Sequence, residues 1–216
     1  MQILKAKDLK DEKVTALFYA PPGFGKTTLL GALQGRTLII DVDCGTSVLK
    51  GNENVDIVRL SDDLSDLPDI LKTLQEKCPY DNVCVDSLSE LERGMLAYLG
   101  RIGKNDGVPD VGSYQRVDFK IVDWCRQFRS LPCNVIFTAW EKQAEVIANT
   151  GEKYTQARPL LRDKNIDNVC GLCDIVGQIT FNPDDGQRFV RLEGSRSVVA
   201  KDRLKKRKSY KFGDVL

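Results

Sequence analysis

The chain has 216 residues, a formal net charge of +1 and no histidine. That length fits one ordinary domain with a core of its own, and the near-zero charge leaves no global field to draw in a nucleic acid, so any such partner must be met by local patches. The missing histidine excludes Ser-His and Cys-His catalysis and every His-ligated metal site, which leaves acid–base work to carboxylates.

Seven cysteines form an odd set scattered mostly through apolar runs. With no secretory h-region, they read as thiols of a reducing cytosol. No apolar run approaches the length of a membrane span, so the expectation is a soluble, cytoplasmic protein with no membrane partner.

Residues 1–13 are mostly polar and read as a short N-terminal arm. A strand from Ala16 then runs into Ala20-Pro-Pro-Gly-Phe-Gly-Lys-Thr-Thr28 and a helix over roughly 25–34, ended by Gly35. The pattern G-x-x-x-x-G-K-[ST] cradles phosphates with backbone N–H groups, aims a lysine at the outer phosphates and offers a hydroxyl to Mg²⁺. Pro22, Gly23, Phe24, Gly25, Lys26, Thr27 and Thr28 are therefore the nucleotide-binding candidates. Ala20 stands where the pattern has its first glycine, which is tolerable only if its φ is negative.

Thr37-Leu-Ile-Ile-Asp-Val-Asp43 is a continuous apolar run ending in carboxylates, as a buried parallel strand does when its C-terminal end reaches a ligand crevice. A shorter strand over 55–60 and a helix over 62–77 follow, the latter with Leu64, Leu67, Ile70, Leu71 and Leu74 at helical spacing. Asn82-Val-Cys-Val-Asp86 repeats the strand-to-carboxylate pattern, and Asp86 with Thr27 would hold Mg²⁺.

A helix over 87–99 leads to residues 100–112, whose four glycines and two cations read as a mobile loop. Helix returns over 113–130, then Asn134-Val-Ile-Phe-Thr-Ala-Trp140 makes another buried strand in which Thr138 can sense an outer phosphate. Residues 141–166 read as a second long irregular stretch. Strands over 173–181 and 187–192 form a hairpin around Asn182-Pro-Asp-Asp-Gly186, and a last strand over 197–200 leads into a basic C-terminal tail, 204–216. Cys170-Gly-Leu-Cys173 stands alone, with no second pair at finger spacing, and reads as core packing. Strands alternate with helices until the β-rich end, which predicts an α/β fold with a mostly parallel central sheet, flanking helices and a β-hairpin near the C-terminus.

In this order of motifs the chain resembles the RecA-like P-loop NTPase core, and most of all the minimal phage-encoded ATP-binding relatives that act in single-strand annealing or recombination. The resemblance covers roughly residues 14–205. It implies an Mg²⁺-dependent ATPase working in the host cytoplasm, with single-stranded DNA, further copies of itself in a ring or filament, and a single-strand-binding protein as partners. Asp43 inherits the role of activating the attacking water, although the family usually carries glutamate there. The two irregular stretches match the family's DNA loops, which makes Arg101, Lys104, Lys142, Lys153, Arg158 and Arg162 DNA-contact candidates. Val199-Ala-Lys-Asp-Arg203 is similar to the segment that reaches a neighbour's ATP, so Lys201 and Arg203 would complete the site in trans. Two rival readings use the same phosphate loop. One is a small-molecule or nucleoside kinase with residues 153–164 as an arginine-bearing lid, and the other a nucleotide-gated accessory factor for helicase loading or DNA packaging.

Overall fold

A computed structural model describes residue 5 and residues 13–148, 150–182 and 184–212. The arm assigned to residues 1–13 therefore lies almost wholly outside the described residues, as do 213–216 of the basic tail. The elements in chain order are β1 (Thr15–Ala20), α1 (Lys26–Gly31), β2 (Thr37–Asp41), β3 (Val55–Arg59), α2 (Asp66–Glu76), β4 (Asn82–Asp86), α3 (Leu88–Ile102), α4 (Val111–Arg129), β5 (Asn134–Ile147), β6 (Lys153–Pro159), α5 (Asp163–Leu172), β7 (Ile175–Phe181), β8 (Arg188–Arg191), β9 (Lys201–Asp202) and β10 (Ser209–Lys211). The strands form one sheet in the order β10-β8-β7-β1-β5-β4-β2-β3, with β6 added to β5 and β9 to β7.

From β7 through β3 that order is parallel throughout, and the C-terminal strands join antiparallel. The apolar runs of β1, β2 and β4 are buried along their whole length, as strands covered on both faces must be. The period of two sorts them. Leu17, Tyr19, Val83, Val85, Val135 and Phe137 pack beneath α2, α3, α4 and α5, whereas Ala16, Phe18, Cys84 and Ile136 face α1 and the C-terminal strands. The helix read from leucine spacing over 62–77 is α2, and it buries Leu67, Leu71 and Leu74. Each such side chain contributes about 1.5–3 kcal/mol through removal from water.

The fold class expected from the sequence is the one observed, an α/β P-loop fold with a mostly parallel sheet and a C-terminal hairpin. Several segments differ. Residues 141–166 are not irregular: β5 runs on to Ile147 and pairs antiparallel with β6, from Glu141↔Pro159 to Ile147↔Lys153, and α5 follows. Trp140-Glu-Lys-Gln-Ala-Glu-Val-Ile147 does alternate with period two, but its exposed positions are Gln143, Glu145 and Ile147, and this mixture hides a solvent-projecting ribbon among loop-like residues. The supposed loop 100–112 shrinks to 103–110, because α3 extends through Ile102 and Asp110 caps α4 by accepting from Ser113 N at 2.7 Å. Gly100 lets this connection fold back, since a side-chain carbon there would lie 2.2 Å from the Gly107 carbonyl oxygen. Residues 197–200 form no strand beyond isolated bridges at Val198. Part of the basic tail, 209–211, is the edge strand β10.

Candidate nucleotide site

The site lies where β1, β2 and β4 end and β5 leaves the parallel sheet. β1 carries the chain to Ala20, and the turn that follows puts Gly23 at φ +82° and Gly25 at φ +94°, the left-handed region that favours glycine. At Gly23 a side-chain carbon would meet nothing within 4 Å, so backbone conformation rather than crowding selects that glycine. Ala20, the departure from the motif, is ordinary buried strand with no positive φ, and the condition placed on it holds.

Lys26 is buried, and its Nζ donates to the Ala20 carbonyl at 3.1 Å and the Pro21 carbonyl at 3.2 Å. Burial lowers its pKa, while the charges of Asp86, Asp43 and Glu141 oppose that shift. A cation thus stands at the loop with three carboxylates around it, Asp86 at the end of β4, Asp43 just past β2 and Glu141 within β5.

Thr27 Oγ1 donates to Asp86 Oδ2 at 2.6 Å, and Thr138 Oγ1 donates to Asp86 Oδ1. Asp86 is 1% exposed, and burial pushes its pKa up against the pull of both hydroxyls. Thr138 has no exposed surface; its hydroxyl is engaged beneath Asp86 and offers nothing to a phosphate, so the geometry makes it a support for that carboxylate. Thr27 and Asp86 supply hard oxygen donors of the kind magnesium takes. Among the described residues no group of three or more acidic or thiol side chains could enclose a metal.

Asp43 sits two residues past β2. Its Oδ1 accepts from Ser87 N at 3.1 Å and Ser87 Oγ at 2.9 Å, and its Oδ2 accepts from Trp140 Nε1 at 3.2 Å. Ser87 also caps α3 by accepting from Glu90 N, so this N-cap residue doubles as the support of Asp43, which takes the Ser87 N–H that a capping box would give to Glu90. Gly45 lies between Asp43 and Thr27, a side-chain carbon there being 3.9 Å from Asp43 Cβ and 3.9 Å from Thr27 Oγ1. The neighbouring Asp41 is committed elsewhere, to Thr46 Oγ1 at 2.6 Å and Gly45 N at 3.2 Å.

Glu141 is a site residue that the strand-end logic used for Asp43 and Asp86 could have found. The register Ala20↔Trp140 places it one residue beyond the start of the phosphate loop, and its Oε2 accepts from Gln178 Nε2 at 2.9 Å.

Residues 12–204 match the family described as AAA domain. The chain belongs to the AAA domain family. No curated protein sequence matches it. Among solved structures, this AAA domain is similar to a KaiC-like protein from Pyrococcus horikoshii OT3 (15% identity, TM-score 0.46, covering 86% of this chain and 80% of that one). It is also similar to the RadB recombinase (16%, TM-score 0.49, 85% and 81%) and to the flagellar accessory protein FlaH from Methanocaldococcus jannaschii (9%, TM-score 0.45, 91% and 83%).

The cations assigned to DNA in this AAA domain divide. Lys142 Nζ donates to Asp163 Oδ1 at 2.8 Å, and Arg158 lies 3.9 Å from the same oxygen. Lys153 pairs with Glu145 across the ribbon at 3.0 Å. Arg162 pairs with Asp118 at 2.5 Å and stacks on Tyr114, its guanidinium carbon 4.6 Å from the ring centre. These partners were out of reach of sequence reading because they come from α4, α5 and the opposite strand of the ribbon. Arg101 and Lys104 are exposed, and Arg101 lines a cleft with Cys44, Ser61 and Glu90. The segment 153–164 that a kinase would use as its lid is β6 and the start of α5, with Arg158 paired to Asp163 and Arg162 to Asp118.

Lys201 and Arg203 sit at the far end of the sheet. Val176↔Lys201 places β9 at the start of β7, and Arg203 N donates to the Asp174 carbonyl, while Asp174 Oδ2 accepts from Thr15 N. Thr15 begins the strand whose other end is the phosphate loop, about 17 Å away at roughly 3.3 Å per residue. Neither cation can reach its own phosphate site. Of the lone cysteine pair, Cys173 is fully buried in the core, and burial pushes the Cys170 thiol up to about 12.

Proposed function

We propose that this AAA domain binds and hydrolyses ATP with Mg²⁺, as one member of an oligomer assembled on single-stranded DNA in recombination or annealing of the phage type. The observation that carries the reading is the convergence of Lys26, the Thr27–Asp86 pair and Asp43 at the ends of three parallel strands. Lys26 neutralises charge on the outer phosphates, turning from the loop carbonyls to do so. Thr27 and Asp86 would hold the metal, which would supply charge screening at the phosphate oxygens. Thr138 positions Asp86. Asp43, fixed by Ser87 and Trp140, orients the attacking water and takes its proton. Lys201 and Arg203, stranded at the opposite end of the sheet, serve the site of a neighbouring copy.

DNA contact in this reading rests on exposed Arg101 and Lys104 and on the exposed Lys153 of the β5–β6 ribbon rather than on Arg158 and Arg162, whose side chains are less exposed. Phosphate release measured with and without single-stranded DNA, on wild type and Lys26→Ala, tests the whole. Stimulation by DNA that disappears in the variant supports it, and a protein that releases no phosphate in either condition is not the proposed ATPase.

A further inference from the structure

The C-terminal strands bring together residues that are far apart in sequence. Phe181 ends β7, Arg188 begins β8 and Phe212 follows β10, and all three converge on the phosphate loop. The Arg188 guanidinium carbon lies 5.6 Å from the ring centre of Phe181 and 5.6 Å from that of Phe212. Phe24, inside the loop, meets Phe181 edge to face with ring centres 4.8 Å apart. A side-chain carbon at Gly25 would stand 3.0 Å from Arg188 Nη1, 3.2 Å from its Cζ and 3.3 Å from Phe212 Cζ. The guanidinium therefore rests directly against the backbone that precedes Lys26.

What Arg188 lacks is as informative as what it touches. Among the described residues no carboxylate lies within ion-pair distance of it and no acceptor takes its N–H groups. Its charge is held by ring faces alone, which orient the plane of the fork and leave its donors unspent. Such a fork matches two oxygens of a phosphate at once, and it is always charged.

We propose that Arg188 is a second phosphate-binding cation of the nucleotide site, supplied by the same chain and distinct from the cations lent by a neighbour. The assignment rests on the nucleotide reading given above. The aromatic residues Phe24, Phe181 and Phe212 are its holder, and through Phe212 the phosphate chain is coupled to the C-terminal strand β10.

The test is equilibrium binding of ATP, ADP and adenosine to wild type, Lys26→Ala, Arg188→Ala, Arg188→Lys and Arg188→Met, with thermal unfolding of each ligand-free protein. Arg188→Met keeps an unbranched stem against the rings and removes only the fork and its charge. Loss of about tenfold or more in ATP and ADP affinity in both Arg188→Ala and Arg188→Met, with partial retention in Arg188→Lys and adenosine binding unchanged, is the expected result. ATP affinity within about twofold of wild type in Arg188→Met, while Lys26→Ala abolishes binding, overturns the role of Arg188 and leaves the nucleotide reading standing. A wild type that binds no ATP removes both.

Discussion

Thr27 donates a hydrogen bond from its hydroxyl to Asp86 across 2.6 Å, and Thr138 donates one to the other oxygen of the same carboxylate. The pair joins the first turn of α1 to the end of β4, two elements that share no backbone hydrogen bond, so the phosphate loop and the carboxylate expected to hold magnesium are fixed in one frame. The carboxylate is also almost wholly out of water. A buried charge satisfied by hydroxyls and a nearby ammonium serves function at some expense of stability.

That expense has a sign that can be measured. Burial raises the Asp86 pKa in the folded state, so folding favours the protonated carboxyl and stability falls as pH rises from the ordinary value of about 3.9 through the higher folded one. Asp86→Asn removes the charge and keeps groups that hydrogen-bond both threonines. It is expected to melt higher than wild type at pH 7–8 by about 2–4 °C, on the order of 1 kcal/mol, with the gain vanishing near pH 4. Its phosphate release should fall by about 100-fold or more. A melting temperature below wild type at neutral pH would show the ionised carboxylate to be stabilising.

If Asp43 is the base of the proposed reaction, its substitution is expected to separate binding from turnover. Its two oxygens are held by Ser87 and Trp140, and it stands beside Thr27 rather than within the phosphate loop. Asp43→Asn is expected to keep ATP affinity within about threefold while lowering turnover by about 100-fold or more. Trp140→Phe removes one support and should lower turnover without changing binding. Unaltered hydrolysis in Asp43→Asn would move the task to another carboxylate of this pocket, Glu90 or Glu141.

The site was legible wherever its residues lie at the end of an apolar parallel strand. Asp43 and Asp86 were found that way, because a strand buried on both faces reads as an unbroken apolar run and the polar residue that ends it has nowhere to go but the crevice. The same rule covered Glu141, which was passed over because its strand continues past the sheet into a ribbon. Arg188 had no such signal. It reaches the phosphate loop only through antiparallel pairing of β8 with β7 and β10, and nothing in its neighbours in sequence announces that contact. The ion pairs of Lys142, Lys153, Arg158 and Arg162 were hidden for the converse reason: these cations look free in sequence because the carboxylates that pair with them lie on other elements.

Arg162 illustrates the difference in a way that can be checked. It pairs with Asp118, stacks on Tyr114, and its backbone N–H donates to Glu92, which also accepts from the buried Asn165. Arg162→Ala is expected to destabilise the fold by about 1–3 kcal/mol in chemical denaturation, since it strips partners from a partly buried network. The double change Arg101→Ala with Lys104→Ala should leave stability within about 0.5 kcal/mol. In salt titrations of single-stranded DNA binding the double change is expected to flatten the slope of log K against log salt by about 1.4, whereas a larger flattening in Arg162→Ala would return that arginine to the DNA surface.

Arg203 stands at the opposite end of β1 from the phosphate loop, and no side chain spans that distance, so any role in hydrolysis requires a second copy in head-to-tail contact. Such a site takes Lys26 from one subunit and Arg203 from the next. Lys26→Ala and Arg203→Ala should then each release little phosphate when assayed alone, losing about 100-fold or more. Mixed in equal amounts, they form some interfaces in which an intact Lys26 faces an intact Arg203. Random assembly makes that about a quarter of all interfaces, so activity should return to about a quarter of wild type. Recovery that rises with total protein concentration identifies the shared interface. If Arg203→Ala alone keeps full activity, or if the mixture stays as inactive as its parts, the catalytic cations do not come from the neighbour.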